Sequence, residues 1–71
     1  MFSKRLSECR KLKGLTQQKL GELVGTHKQA VNNWEKGLAS PNLNTFRMLC
    51  EYLGVSADYL LGLTDKSEMN K

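Results

Sequence analysis

Three residues, Gly25, Thr26 and His27, separate one helical pattern from the next, and this gap constrains the fold more than any other feature of the chain. Upstream, Leu20, Leu23 and Val24 share an arc of about 100° at the helical repeat. Downstream, Ala30, Val31 and Trp34 again fall on one side of a helix. A turn this short cannot lay two helices antiparallel. The helices must cross steeply, and one face of the second is left free to project.

The remaining chain is punctuated in the same way. A first helix over about Phe2–Lys13 carries Phe2, Leu6 and Cys9 at helical spacing and stops at Gly14. Thr16 caps a second helix, "QQKLGELV", which ends at Gly25. Gly21 lies inside it, where glycine costs roughly 1 kcal/mol relative to alanine; close approach of a neighbouring helix would account for it. The third helix runs from Lys28 to Lys36 and closes at Gly37. After "LASP", Asn42 caps a fourth helix over Leu43–Leu53, with Leu43, Phe46, Leu49, Cys50 and Leu53 as its apolar positions. Gly54 ends it, and Ser56 caps a short fifth helix, "ADYLL", before Gly62. No sustained alternation points to strands. The expectation is an all-α, five-helix domain over residues 1–63, followed by a polar, flexible tail over 64–71, "TDKSEMNK".

At 71 residues the chain is a single domain near the lower size limit for an unstapled core. No apolar run approaches the roughly 20 residues of a membrane span. The first residues, "MFSKRLSECR", lack the apolar block of a signal peptide, so a cytoplasmic protein is expected. Cys9 and Cys50 fall on apolar helix faces and read as buried, reduced thiols. With His27 as the lone histidine, no ligand set has metal spacing, and no metal or cofactor is expected. No nucleophile–base pair or phosphate-cradling loop is present, so no enzymatic activity is expected. The net charge of +4 is uneven: residues 1–36 hold 8 Lys/Arg against 3 Asp/Glu, and residues 37–71 hold 3 against 4. A basic N-terminal half points to a polyanionic partner.

The projecting face of the third helix gives that partner a chemistry. Lys28, Asn32, Lys36, Gln29 and Asn33 fill an arc of about 140° that contains no acid. Trp34, Ala30 and Val31 lie opposite, and Glu35 lies at the border. Amide side chains can bond adenine bidentately, and lysine can donate to guanine O6 and N7. The bland alternative is a solvated polar face, although such faces usually mix Glu with Lys. Trp34, flanked on its face by Ala30 and Val31, reads as core.

The pieces "GLTQQKL", "VNNWEKG", the later proline with leucine two residues on, and "LGVSADYLLG" resemble the Cro/repressor-type (XRE-like) helix-turn-helix family over about residues 2–62. The resemblance implies a compact five-helix domain that binds double-stranded operator DNA, usually as a dimer. It implies base reading by Lys28, Gln29 and Asn33, with Asn32 reaching either base or phosphate. It places Gln17 on a phosphate, with Gln18 beside it, and a second phosphate clamp over Lys36, Ser40, Asn42 and Asn44. It pairs Arg10 with Glu35 in a structural ion pair. The family usually has serine where His27 stands and alanine where Gly21 stands. His27 is also a candidate phosphate contact. Two starts of the third helix remain open. If Thr26 caps, "THKQ" forms a capping box and Gln29 folds back on the backbone; if His27 caps, Gln29 is free to read a base. Tyr59, Leu61 and Leu63 form a cluster larger than the fifth helix needs and are candidates for self-association, while Leu60 should be buried.

The leading expectation is a sequence-specific transcriptional regulator, a phage-type or prokaryotic repressor, acting as a homodimer. The competing one is a protein-interaction module, such as an antitoxin, or the N-terminal part of a longer regulator with a separate sensor domain.

Overall fold

The computed structural model describes residues 1–67. Five helices follow in chain order: α1 (Phe2–Leu12), α2 (Gln17–Leu23), α3 (Lys28–Glu35), α4 (Leu43–Leu53) and α5 (Ala57–Leu61). Local chemistry sets both kinds of boundary. At the starts of α2 to α5, Thr16 Oγ1, His27 Nδ1, Asn42 Oδ1 and Ser56 Oγ each accept the backbone N–H three residues on. Each cap satisfies a donor that the first turn leaves without a helical partner.

All five helices end alike. The N–H groups of Leu15, Thr26, Leu38, Val55 and Leu63 reach back to the carbonyls of Arg10, Gly21, Asn33, Cys50 and Asp58 at 2.7–3.1 Å. A glycine precedes each of these donors. At Gly25 the backbone has φ +78, a left-handed conformation that a side chain would strain. These closures take up the last turn, so α1, α2 and α3 each stop one residue short of the Lys13, Val24 and Lys36 ends expected from periodicity.

The core is assembled from every element. Leu6, Leu20, Val31, Leu49 and Leu60, one from each helix, are fully buried, each stabilising the fold by about 1.5–3 kcal/mol. Cys9, Val24, Trp34, Cys50, Leu53 and Val55 complete it, and Phe2 and Phe46 pack with ring centroids 5.9 Å apart. Burial raises the pKa of both the Cys9 and the Cys50 thiol.

α2 packs chiefly on α3. A Cβ added at Gly21 would stand 2.8 Å from the carbonyl carbon of His27. The close approach that glycine permits is therefore to the backbone entering α3, not to a neighbouring helix.

On the far side, Arg5 ties α1 to the end of the chain. Its Nη1 donates to the carbonyls of Tyr59, at 2.7 Å, and Thr64, while Nη2 meets Asp65 Oδ1 at 3.0 Å. Its guanidinium also lies 4.1 Å from the Tyr59 ring centroid. Ser56 N–H donates to the Ser67 carbonyl at 2.8 Å. Residues 64–67 of the tail expected to be flexible are thus bonded back onto the domain, and residues 68–71 lie outside the described residues. Among the described residues no helix is long and apolar enough to cross a membrane.

Candidate nucleic-acid interface

Val31 and Trp34 anchor α3 in the core, and the opposite side of the helix carries the strip expected from its periodicity. Lys28, Gln29 and Lys36 are exposed, and Asn32 and Asn33 are partly exposed. Glu35, placed at the border of this strip by helical angle, is turned inward, with its side chain only 8% exposed.

Arg10 of α1 takes up that carboxylate. Its Nε meets Glu35 Oε2 at 2.6 Å and its Nη2 meets Oε1 at 3.1 Å, while Nη1 donates to the Leu15 carbonyl at 2.8 Å. Burial pushes the Glu35 carboxyl up, but hydrogen bonds from Arg10 and Gln17, the Arg10 charge and a contribution from Ser7 together hold it below its usual value. The pair is mostly covered, so it is not one of the weak ion pairs found on protein surfaces.

Gln17, the first residue of α2, continues the network. Its Nε2 donates to Glu35 Oε1 at 3.1 Å and to Asn32 Oδ1 at 3.3 Å. Both amide protons are then engaged inside the protein. The side chain's remaining atom, Oε1, is an acceptor and cannot bond a phosphate oxygen. The geometry is therefore at odds with the phosphate contact that the family resemblance implies for Gln17. Periodicity gave no sign of this, since the two amides stand 15 residues apart.

The start of α3 is decided by the end of α2. Thr26 N–H is engaged by the Gly21 carbonyl at 2.7 Å in the glycine closure, which leaves the extended His27 as the cap. The capping box does not form. Gln29 instead donates from Nε2 to Asn33 Oδ1 at 2.9 Å along the exposed face.

The residues assigned to phosphates come before and after this strip in the chain. Gln18 lies at the start of α2, bonded to Glu22 at 3.4 Å, and lines an open hollow with Arg10, Thr16, Gln17 and Lys28. Ser40, Asn42 and Asn44 are exposed around the start of α4; the side-chain Oδ1 of Asn42 caps that helix, accepting from Thr45 N–H at 2.8 Å. Of the self-association candidates, Tyr59 is partly buried beneath Arg5, whereas Leu61 and Leu63 are exposed. Sequence reasoning missed Arg5. Its signal was a charge at the same helical spacing as Phe2, Leu6 and Cys9, on the apolar face of α1.

Two helices crossing through a glycine-closed turn, the second bearing an acid-free polar strip, define a helix-turn-helix domain. A helix-turn-helix family model matches residues 6–60, and the chain belongs to that family. Among curated relatives, a SPbeta prophage-derived HTH-type transcriptional regulator, YonR of Bacillus subtilis (strain 168), is 43% identical over 86% of this chain and 56% of its own length. The HTH-type transcriptional regulator YqaE of the same organism is 39% identical over 100% of this chain and 58% of its own. The chain thus spans little more than half the length of these relatives. Among solved structures, the P22 c2 repressor in complex with a synthetic operator matches with TM-score 0.85 and 31% identity, over 90% of this chain and 97% of the other. The SinR/SinI protein complex matches with TM-score 0.77 and 29% identity, over 86% and 60%.

Proposed function

We propose that the chain is a cytoplasmic, sequence-specific DNA-binding domain of a transcription regulator, placing α3 in the major groove. The observation that carries this reading is the strip of Lys28, Gln29, Asn32 and Asn33, open to solvent and without an acid, on a helix whose other side is locked into the core. Lys28, Gln29 and Asn33 read base edges. Gln18, His27, Lys36, Ser40, Asn42 and Asn44 set register on the phosphates. The P22 c2 repressor with its operator and the curated transcription regulators support the reading, and it assigns the chain no catalytic step.

A homodimer fits this role, because a two-fold protein reads two half-sites about one helical turn apart. Leu43 and Leu61 are exposed and line a groove with Phe2, Pro41 and Phe46, and Leu63 is exposed as well; apolar patches of this kind mark contact surfaces. A second reading, a protein-interaction module or the DNA-binding part of a longer regulator, draws on that same patch and on the greater length of the relatives.

Selection of bound duplexes from a random pool, with a salt titration, tests the function. A motif should emerge and degrade at separate positions in Lys28→Ala and Asn33→Ala. Lys36→Ala should weaken all duplexes alike and lower the salt slope by about 1. Recovery of no motif by the wild-type protein would defeat the proposal. Sedimentation of wild type and Leu61→Asp on the selected duplex tests the dimer: two copies are expected for the former and loss of the second for the latter.

A further inference from the structure

The buried network fixes more than the position of α3. Arg10 can only donate, so the Glu35 carboxylate facing it can only accept. A carboxylate that only accepts requires the nitrogen end of the Gln17 amide, and that nitrogen in turn requires the oxygen end of Asn32. Polarity is thus passed along the four side chains, from a group with one possible role to an amide with two. Its last consequence is at the surface. Asn32 Oδ1 is held inward, and Nδ2 is left as the outward end, with no buried polar atom of the described residues lacking a partner.

Asn32 stands midway along the row Lys28, Asn32, Lys36, at helical spacing i, i+4, i+8. With its oxygen turned inward toward Gln17, its outward end offers the same chemistry as the two lysines, namely donors. A free asparagine suits adenine because it can accept from N6 while donating to N7. An asparagine restricted to donating suits the edges that carry acceptors without an amine, guanine N7/O6 and thymine O4.

We propose that Gln17 is a positioning residue that holds Asn32 as a donor, so that Asn32 selects a keto base (guanine or thymine) over an amino base (adenine or cytosine) at one position of the site. The inference rests on the DNA-reading function above. It differs from the family expectation in a measurable way: a phosphate contact has no base preference, whereas a positioning residue has one, expressed through its partner.

The experiment measures affinity for the selected duplex and for each single base-pair change of it, using wild type, Gln17→Ala, Asn32→Ala, the double variant and Asn32→Asp. Asn32→Ala should flatten the keto preference at one position. Gln17→Ala should reduce that preference at the same position by at least about threefold. Preferences at the other positions should stay within about twofold, as for independent sites. The double variant should resemble Asn32→Ala. Asn32→Asp still accepts from Gln17 but turns an acceptor outward, and should shift the preference toward an amino base, as carboxylates accept from cytosine N4. If Gln17→Ala proves unfolded by circular dichroism, Gln17→Met, which keeps the bulk without the donor, is read in its place. Equal weakening of every duplex by the Gln17 variant, with the Asn32 position unchanged, would overturn the proposal and leave the DNA-reading function standing. Absence of any base preference in the wild type would overturn both.

Discussion

Glu35 joins three elements of the fold through one carboxylate, bonded to Arg10 of α1 and Gln17 of α2 from its place on α3. Its carboxylate is mostly covered and held by Arg10 and Gln17, so removing Arg10 leaves a buried charge without its partner. Arg10→Ala should cost about 3 kcal/mol, measured by urea unfolding. The sign of the pH effect follows from the lowered carboxyl pKa. A group that titrates lower when folded contributes fully above its unfolded value of about 4.3, and the contribution is lost as pH falls through the folded value. Thermal melts of the wild type should therefore decline through the acid range below about pH 4.3. Glu35→Gln should melt lower at neutral pH and decline less steeply in acid. The pairing was legible as a family resemblance. Its buried character was not, since helical angle put Glu35 at the border of the polar strip.

At the scale of the helices, the sequence was read most completely where glycine and a capping residue bracket an apolar pattern. Four of the five elements, α2 to α5, are of that kind, whereas α1 has the closing glycine without a side-chain cap, and the boundaries of all five shift by a single residue at most. What local pattern left open was how one end affects the next start. Thr26 is the better cap by residue type, yet its N–H closes α2, and the task falls to His27 through a long 3.3 Å bond. His27→Ser should therefore raise stability by about 0.5–1 kcal/mol in urea titrations. Gly21→Val should have the opposite effect by about 2 kcal/mol or more, because a β-branched side chain meets the His27 backbone. Tolerance of valine at Gly21 would mean that the turn is not packed as tightly as described.

Across the whole molecule, the interface and the Arg5 clamp are separate assemblies. α3 and the start of α2 hold the polar strip and its supporting network, while Arg5 binds α5 and residues 64–65 from a distance of 54–60 residues in sequence. Arg5 itself leaves a periodic trace, a charge at the apolar spacing of α1, but its partners so far along the chain leave none, so the sequence pattern points only to a polar, flexible tail. Arg5→Ala should speed amide exchange at Ser56, whose N–H is bonded to Ser67, and at neighbouring amides of α5, with little change in α3. The central claim is that α3 faces the DNA. NMR titration of the labelled protein with a duplex recovered by selection tests it most directly. The account predicts that the largest shifts fall on the backbone of α3 and on the side-chain amides of Gln29, Asn32 and Asn33. Shifts centred on α5 and Leu61, with the α3 amides unmoved, would contradict it.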